Sequence, residues 1–199
     1  MAAAEDPSDE ALIVRIVSGD RDAFAALYRR RRADVYRFAL HISGSSSVAD
    51  DVTQDVFMAV IHDAGRYQPD RAGVVPWLLG IARNHVRRLL DRQPTVALPD
   101  DESETGRTLA VEADPLAGLA RRQYVLALRR AVLELPVKYR EAVVLCDLQE
   151  LTYADAASTL GCAIGTLRSR LHRGRVLLAT RLRGDDGELF RTPVARWML

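Results

Sequence analysis

Apolar side chains recur every three to four residues along most of the chain, which is the spacing of amphipathic α-helices. No segment alternates apolar and polar residues between hairpin turns, so the pattern predicts no β-hairpin. Helices are predicted over residues 22–40, 48–62, 76–92, 116–133, 139–148, 153–160 and 164–183. The predicted fold class is therefore all-α.

Turn and capping residues mark several of the predicted helix ends. Gly44 interrupts the first half of the chain, and Ser47 with Asp50 predicts a capping box at the start of the next helix. Thr152 has the same relation to Asp155, and the glycine at 161 is typical of a helix C-terminus. A helix, a short glycine-containing turn and a basic helix, in this order, predict a helix-turn-helix.

The charge of the whole chain hides a strong segregation along the sequence. The 199 residues carry 28 basic and 27 acidic side chains, and a net charge of +1 taken alone argues against nucleic-acid binding. Residues 21–92 are nevertheless net +4 and residues 121–183 net +7, whereas residues 1–20, 93–120 and 184–199 are net −4, −5 and −1. Every basic residue except Lys138 is arginine, whose guanidinium suits bidentate contacts with phosphate and guanine.

These blocks predict two small helical domains joined by an acidic flexible linker. The stretch 93–120 contains Pro94, Pro99 and Pro115, which is typical of a tether between domains. The expected organisation is an acidic N-terminal segment (1–20), a first domain (21–92), the linker (93–120), a helix-turn-helix domain (121–183) and a short tail (184–199).

A rotation of 100° per residue predicts which side of each helix is exposed. The last helix is expected to pack inward with Ile164, Leu167, Leu171, Gly174 and Leu178. Its polar face, suited to the major groove, carries Ser169, His172 and Arg173, with Thr166 and Arg168 on the flanks. Arg170 also counts among the expected DNA contacts, but it lies nearer the buried boundary, where it would reach phosphates. Arg175 is expected near the boundary, where it would reach phosphates, and Gly174 inside a helix costs about 1 kcal/mol relative to alanine.

Two helices of the first half also have a polar side. On the helix at 48–62 this side carries Asp51, Gln54, Asp55 and Met58, and on the helix at 76–92 it carries Arg83, Asn84, Arg87 and Arg88. The arginine run at 29–32 is expected to form a solvated face.

Several segments resemble the extracytoplasmic-function (ECF) sigma factors of bacterial RNA polymerase. Residues 135–141 (LPVKYRE), 151–157 (LTYADAA) and 160–173 (LGCAIGTLRSRLHR) look like their promoter-reading C-terminal domain. Residues 48–57 (VADDVTQDVF) resemble the helix that docks on polymerase, although Ile61 stands where that helix usually carries tryptophan. Residues 77–84 (WLLGIARN) resemble the helix that melts and reads the −10 element. The resemblance covers about residues 20–183 in the family's order.

The resemblance implies a transcription initiation factor that binds core RNA polymerase and promoter DNA. It implies contacts with the clamp helices of the largest subunit through Asp51, Gln54, Asp55 and Met58. It implies −10 contacts from the loop at 67–75 and from Tyr67, Trp77, Arg83, Asn84, Arg87 and Arg88. It implies −35 contacts from the polar face of the last helix, and binding of the polymerase flap by the second domain. Such a protein is usually held by an anti-sigma factor.

Two other classes of function remain open on the residues alone. A repressor or activator that acts without polymerase would need a ligand-binding or dimerising first domain. An enzyme would need convergent histidine, aspartate or cysteine side chains, and no such set lies at adjacent helical positions. We expect no enzymatic activity.

The sequence predicts neither a metal nor a cofactor, because Cys146 and Cys162 lack the partners of a metal site. The N-terminus has no signal-peptide pattern, and the longest nearly apolar run, 74–82, is too short to span a bilayer. A cytoplasmic protein without membrane insertion is expected.

Overall fold

The computed structural model describes residues 6–92 and 115–183, with the side chains of the second range from Gln123 to Leu182. Within these ranges every regular element is helical and no strand occurs, which confirms the all-α prediction. The predictions for the linker up to residue 114 and for the tail at 184–199 lie outside the described residues.

The described part of the chain forms eight α-helices and two short irregular turns. The helices are α1 (Asp9–Val17), α2 (Arg21–Ser43), α3 (Ser46–Asp63), α4 (Val74–Arg92), α5 (Pro115–Leu133), α6 (Val137–Val143), α7 (Tyr153–Leu160) and α8 (Ile164–Arg183). A 3₁₀ turn (Ala64–Arg66) follows α3, and a π-helical turn (Val144–Leu148) continues α6. The prediction of one regular helix over 139–148 is thus wrong in its second half.

The first domain is built from α1 to α4, with α2 packed against the other three. The Asp20 carboxylate accepts hydrogen bonds from the backbone N–H groups of Asp22 and Ala23, which caps the start of α2. Gly44 ends the helix with φ of 77°, a left-handed conformation that glycine adopts without strain. Phe38 and Leu78 are among the side chains fully buried between these helices.

Helix α1 is an element that the sequence pattern did not assign. Leu12, Ile13 and Ile16 bury one side of its nine residues in the core of the first domain. Its first residue, Asp9, is buried and bonds to Arg30 at 2.6 Å and to Arg31 at 2.5 Å. The arginine run at 29–32 is therefore not simply a solvated face, because two of its members hold α1 against α2.

The capping residue of α3 also differs from the prediction. Ser45, not Ser47, precedes the helix, and its hydroxyl accepts a hydrogen bond from the backbone N–H of Val48 at 3.4 Å. Three consecutive serines offer equivalent side chains, and the turn made by Gly44 decides which of them meets the free N–H groups.

The second domain, α5 to α8, contains the predicted helix-turn-helix. The Thr152 hydroxyl accepts from the backbone N–H of Asp155 at 3.1 Å, and Gly161 ends α7 with φ of 62°. Both predicted caps are therefore confirmed. Of the residues predicted to pack inward from α8, Leu167 and Leu171 are buried, but Ile164 is 43% exposed. Ile164 lies in the first turn of α8, ahead of the part of the helix that other helices cover.

Gly174 lies where α8 crosses α6. A Cβ atom at this position would meet Val143 Cγ2 at 2.8 Å and the Tyr139 carbonyl oxygen at 3.2 Å. The close crossing therefore explains a glycine whose presence inside a helix is otherwise unfavourable by about 1 kcal/mol.

We expect Gly174→Ala to lower the free energy of unfolding by about 1–3 kcal/mol, because the added methyl group overpacks the crossing. Gly80→Ala is the matched control, since Gly80 is also inside a helix but a Cβ atom there would have no neighbouring atom within 4 Å. The control should stabilise the chain by up to about 1 kcal/mol. Urea unfolding followed by circular dichroism measures both, and equal shifts in the two variants would contradict the steric explanation.

Candidate nucleic-acid and polymerase interfaces

The polar side of α8 forms a basic exposed surface. Thr166, Arg168, Ser169, His172 and Arg173 are exposed, and Arg170 is partly buried on the flank. We call this set of six residues the basic face of α8. These side chains point toward solvent because Leu167 and Leu171 hold the opposite side of the helix in the core.

Neighbouring aromatic side chains support this face. The Arg168 guanidinium lies 5.8 Å from the centre of the Tyr153 ring, at the start of the preceding helix of the motif. A hydrogen bond with Arg173 lowers the pKa of the Tyr139 hydroxyl. Arg175, expected to reach phosphates, instead makes two hydrogen bonds with Asp147, at 3.1 and 2.6 Å. Its charge is therefore compensated within the domain.

The polar side of α3 forms an acidic surface on the first domain. Asp51, Gln54, Asp55 and Met58 are all exposed, as the rotation predicted. Met58 is 48% and Ile61 50% exposed, so an apolar strip adjoins the two carboxylates. Asp55 also faces α4, with its carboxylate 3.1 Å from His85 Nδ1.

The polar residues of α4 do not share one face. Asn84 and Arg88 are exposed on the side that also holds Trp77, and these three line a shallow pocket of about 280 Å³. Arg83 and Arg87 point about a quarter-turn away, toward the second domain. The four residues were predicted to lie on one polar side of the helix, but Arg83 and Arg87 bond to the second domain whereas Asn84 and Arg88 line the pocket. Their assignment as contacts to the −10 element stays a prediction.

The two aromatic residues predicted near the −10 site pack against each other. The ring centres of Tyr67 and Trp77 are 5.2 Å apart. The Tyr67 hydroxyl is buried, and this burial raises the pKa of Tyr67. Trp77 is only partly buried and keeps a side toward the pocket beside α4.

Arg83 and Arg87 are held by an acidic residue that the sequence analysis did not single out. The Glu141 carboxylate is fully buried and accepts hydrogen bonds from Arg83 Nε at 2.9 Å and from Arg87 Nε and Nη2 at 2.7 and 3.0 Å. Glu141 belongs to α6, so this interdomain ion pair joins the two domains. In the sequence, the position of Glu141 directly before the apolar run 142–145 is the feature that could have indicated a buried, paired carboxylate.

Other contacts surround the interdomain ion pair. The Arg140 guanidinium donates to the Ile42 carbonyl of the first domain and to the Leu133 and Leu135 carbonyls of its own. The Thr159 hydroxyl lies 3.2 Å from the Pro76 carbonyl oxygen of the first domain and 2.9 Å from the Asp155 carbonyl oxygen of its own helix. Buried apolar residues of both domains form one continuous cluster. The domains therefore lie against each other in this structure.

His41 lies on α2 where that helix approaches α5. Burial, together with the charges of Arg129 and Arg37, lowers the pKa of His41 from 6.5 to about 4. The histidine is therefore neutral in the folded chain at pH 7.

No group of three or more metal-ligating side chains occurs among the described residues. Across the same residues, none of the helices combines the length and the apolar character that crossing a membrane requires.

Comparison with known proteins identifies both domains. Residues 27–94 match the family model Sigma-70 region 2, and residues 126–178 match the model Sigma-70, region 4. The chain is 38% identical to the ECF RNA polymerase sigma factor SigM of Mycobacterium tuberculosis over 175 residues, which is 86% of this chain and 83% of SigM. The chain belongs to the ECF sigma factors. It is thus a transcription initiation factor that recognises promoters.

Two solved structures share the fold of this sigma factor. One is CnrH in complex with the cytosolic domain of CnrY, with a TM-score of 0.67, 24% identity and coverage of 90% of this chain and 99% of CnrH. The other is RpoE in complex with the anti-sigma factor NepR from Bartonella quintana, with a TM-score of 0.62, 23% identity and coverage of 81% and 98%. At this identity the likeness establishes the two-domain helical fold alone.

The depressed pKa of His41 predicts a pH dependence of stability. Between about pH 6.5 and 4 the unfolded chain binds a proton at His41 that the folded chain does not, so this contribution is present above pH 6.5 and is lost as the pH falls toward 4. His41→Asn should therefore lose less stability than the wild type between pH 7 and pH 5.

Urea unfolding midpoints at the two pH values test this expectation. His172→Asn, which changes an exposed histidine, is the control and should keep the wild-type pH dependence. A His41→Asn chain that loses as much stability as the wild type would contradict the effect of burial.

Proposed function

We propose that this sigma factor directs core RNA polymerase to promoters by dividing the contacts between its two domains. The acidic and apolar surface of α3 binds the clamp helices of the polymerase. The basic face of α8 enters the major groove of the −35 element. The observation that carries this proposal is that the exposed surfaces of α3 and α8 have opposite charge and lie on different domains.

Recognition of the −35 element rests on the chemistry of the basic face of α8. Arginine forms bidentate hydrogen bonds with guanine, and hydroxyls and backbone-directed arginines bind phosphates. Arg173 is exposed at the C-terminal end of this face, and Arg168 is held beside the Tyr153 ring. We assign base contacts to Arg168, Ser169, His172 and Arg173, and backbone contacts to Thr166 and Arg170.

Contacts with the −10 element are assigned to the side of α4 around the shallow pocket. Trp77 supplies a surface for base stacking, worth roughly 1–3 kcal/mol per base, and Asn84 and Arg88 supply hydrogen-bond donors. The Tyr67 ring packs against the Trp77 ring and holds it in place. Arg83 and Arg87 bind phosphates once they are released from Glu141.

The second domain also offers an apolar site for the polymerase flap. A cavity of about 140 Å³ lies between α5, the π-helical turn and α8, and its lining includes Leu128, Val132, Leu148 and Leu178. Apolar concave surfaces of this kind receive side chains of a partner protein. In this proposal the polymerase carries out the catalytic chemistry of transcription. This chain positions the polymerase at the promoter and assists melting of the promoter DNA.

We further propose that an anti-sigma factor holds the free protein, in a cytoplasmic setting. The two solved relatives of this fold support the proposal, because one is a complex with the anti-sigma factor NepR and the other a complex with the cytosolic domain of CnrY.

Arg173→Ala should reduce run-off transcription from a −35-dependent promoter by about tenfold, the loss expected when one bidentate contact of 1–3 kcal/mol is removed. Its affinity for core polymerase should stay unchanged. Arg181→Ala is the matched control, since Arg181 is on the same helix but bonds Glu134 away from the basic face. Equal losses of transcription and of core binding in Arg173→Ala would overturn the assignment.

Asp55→Arg should weaken core polymerase binding by about tenfold or more, because it places a positive charge at an acidic interface. Asp91→Arg makes the same change at an exposed site at the end of α4 and should bind core polymerase as the wild type does. Fluorescence titration of the full chain with core polymerase measures both affinities. An unchanged affinity in Asp55→Arg would remove Asp55 from the interface.

A further inference from the structure

The interdomain ion pair places a carboxylate where two DNA-binding arginines would meet a phosphate. Arg83 and Arg87 are one helical turn apart on α4, and both direct their guanidinium groups at the same acceptor. Guanidinium binds carboxylate and phosphate with the same bidentate geometry. The Glu141 carboxylate therefore has the position and the charge that a phosphate of the DNA backbone would have.

We infer that Glu141 is an autoinhibitory residue that competes with DNA for Arg83 and Arg87. The inference rests on the proposed function, since it takes these arginines as contacts to promoter DNA. The same nitrogen atoms cannot bind Glu141 and a phosphate at once. The N–H groups bound to Glu141, on Arg83 Nε and on Arg87 Nε and Nη2, become available to a phosphate only when the two domains separate.

Glu141 is buried against residues of the opposite domain. Its side chain has no exposed surface while the domains are together, and its partners belong to the opposite domain. Removing a carboxylate from water costs free energy that the two arginines offset only while they are present. Separation of the domains returns the carboxylate to water, so opening does not leave a buried unpaired charge on α6.

The inhibition is directed at one domain. Arg83 is only 13% exposed, and Arg87, although its side chain is 42% exposed, is bound to Glu141 through Nε and Nη2. Five of the six residues of the basic face of α8 are exposed in the same conformation. The closed chain can therefore present its duplex-reading helix while Arg83 and Arg87 are bound to Glu141. Binding to single-stranded or melted DNA is the activity that the contact with Glu141 suppresses.

The test uses the full chain without polymerase and a fluorescein-labelled single-stranded DNA oligonucleotide of mixed sequence at low salt. Glu141→Gln should bind this DNA about tenfold more tightly, because a larger fraction of the chain is open. Its radius of gyration by small-angle X-ray scattering should increase. Glu134→Gln removes the same charge from an exposed pair within the second domain and should change neither quantity.

A double-variant cycle separates competition from a general charge effect. Arg87→Gln in the wild type removes a DNA contact but also weakens the closure, so its loss of DNA affinity should be small. In the Glu141→Gln background the closure is already broken, so Arg87→Gln should cost several-fold more. Equal costs in both backgrounds would show that Glu141 and DNA do not compete for Arg87.

Two outcomes overturn the inference directly. An unchanged radius of gyration in Glu141→Gln would show that this residue does not hold the domains together. Expansion without tighter DNA binding would show that the covered arginines are not DNA contacts. Thermal unfolding by circular dichroism establishes that each variant is folded before it is compared.

Run-off transcription by the wild-type chain with core polymerase is measured alongside. A chain that directs transcription, with Glu141→Gln unchanged in both size and DNA affinity, rejects the autoinhibitory contact alone. A wild-type chain that fails to direct core polymerase rejects the proposed function, whatever the variants show.

Discussion

A fully buried carboxylate needs compensating charge, and the need of Glu141 for Arg83 and Arg87 sets how the two domains face each other. A buried ion is stable only when its hydrogen-bonding capacity is met, and α4 is the element that meets it here. The surrounding contacts of Arg140 and Thr159 involve backbone carbonyls of the first domain. The interface therefore combines this polar contact with the continuous apolar cluster that the two domains share.

Within each domain, a few single residues determine how the helices pack and therefore which of their sides face solvent. Gly174 brings α8 against α6, and the buried Leu167 and Leu171 orient the opposite side toward solvent. Asp9 ties α1 to α2, so the first domain begins earlier than its charge pattern indicates. These are short-range packing and hydrogen-bonding effects, and they place the functional side chains without any contact between the domains.

The sequence was sufficient for features set by local periodicity and capping, such as the helical class, the caps at Thr152 and Gly161 and the exposure of Asp55. Ser45 was missed because neighbouring serines are equivalent until the turn is known. Glu141 was missed because its partners are 54 and 58 residues away in the chain, and no local rule connects them. The 100° rotation per residue predicts the relative directions of side chains on one helix. It does not predict which other helix lies in each direction. The roles of the individual site residues stay predictions.

The internal pairing of arginines determines the electrostatic field that the closed chain presents to solution. Asp9 pairs with Arg30 and Arg31, Glu141 with Arg83 and Arg87, and Asp147 with Arg175. The exposed Arg168 and Arg173 give the outer side of α8 a positive charge. Long-range attraction by a polyanion acts on such charge and raises the rate of encounter. The larger net charge of residues 121–183, +7 against +4 for residues 21–92, favours an approach to duplex DNA with the second domain first.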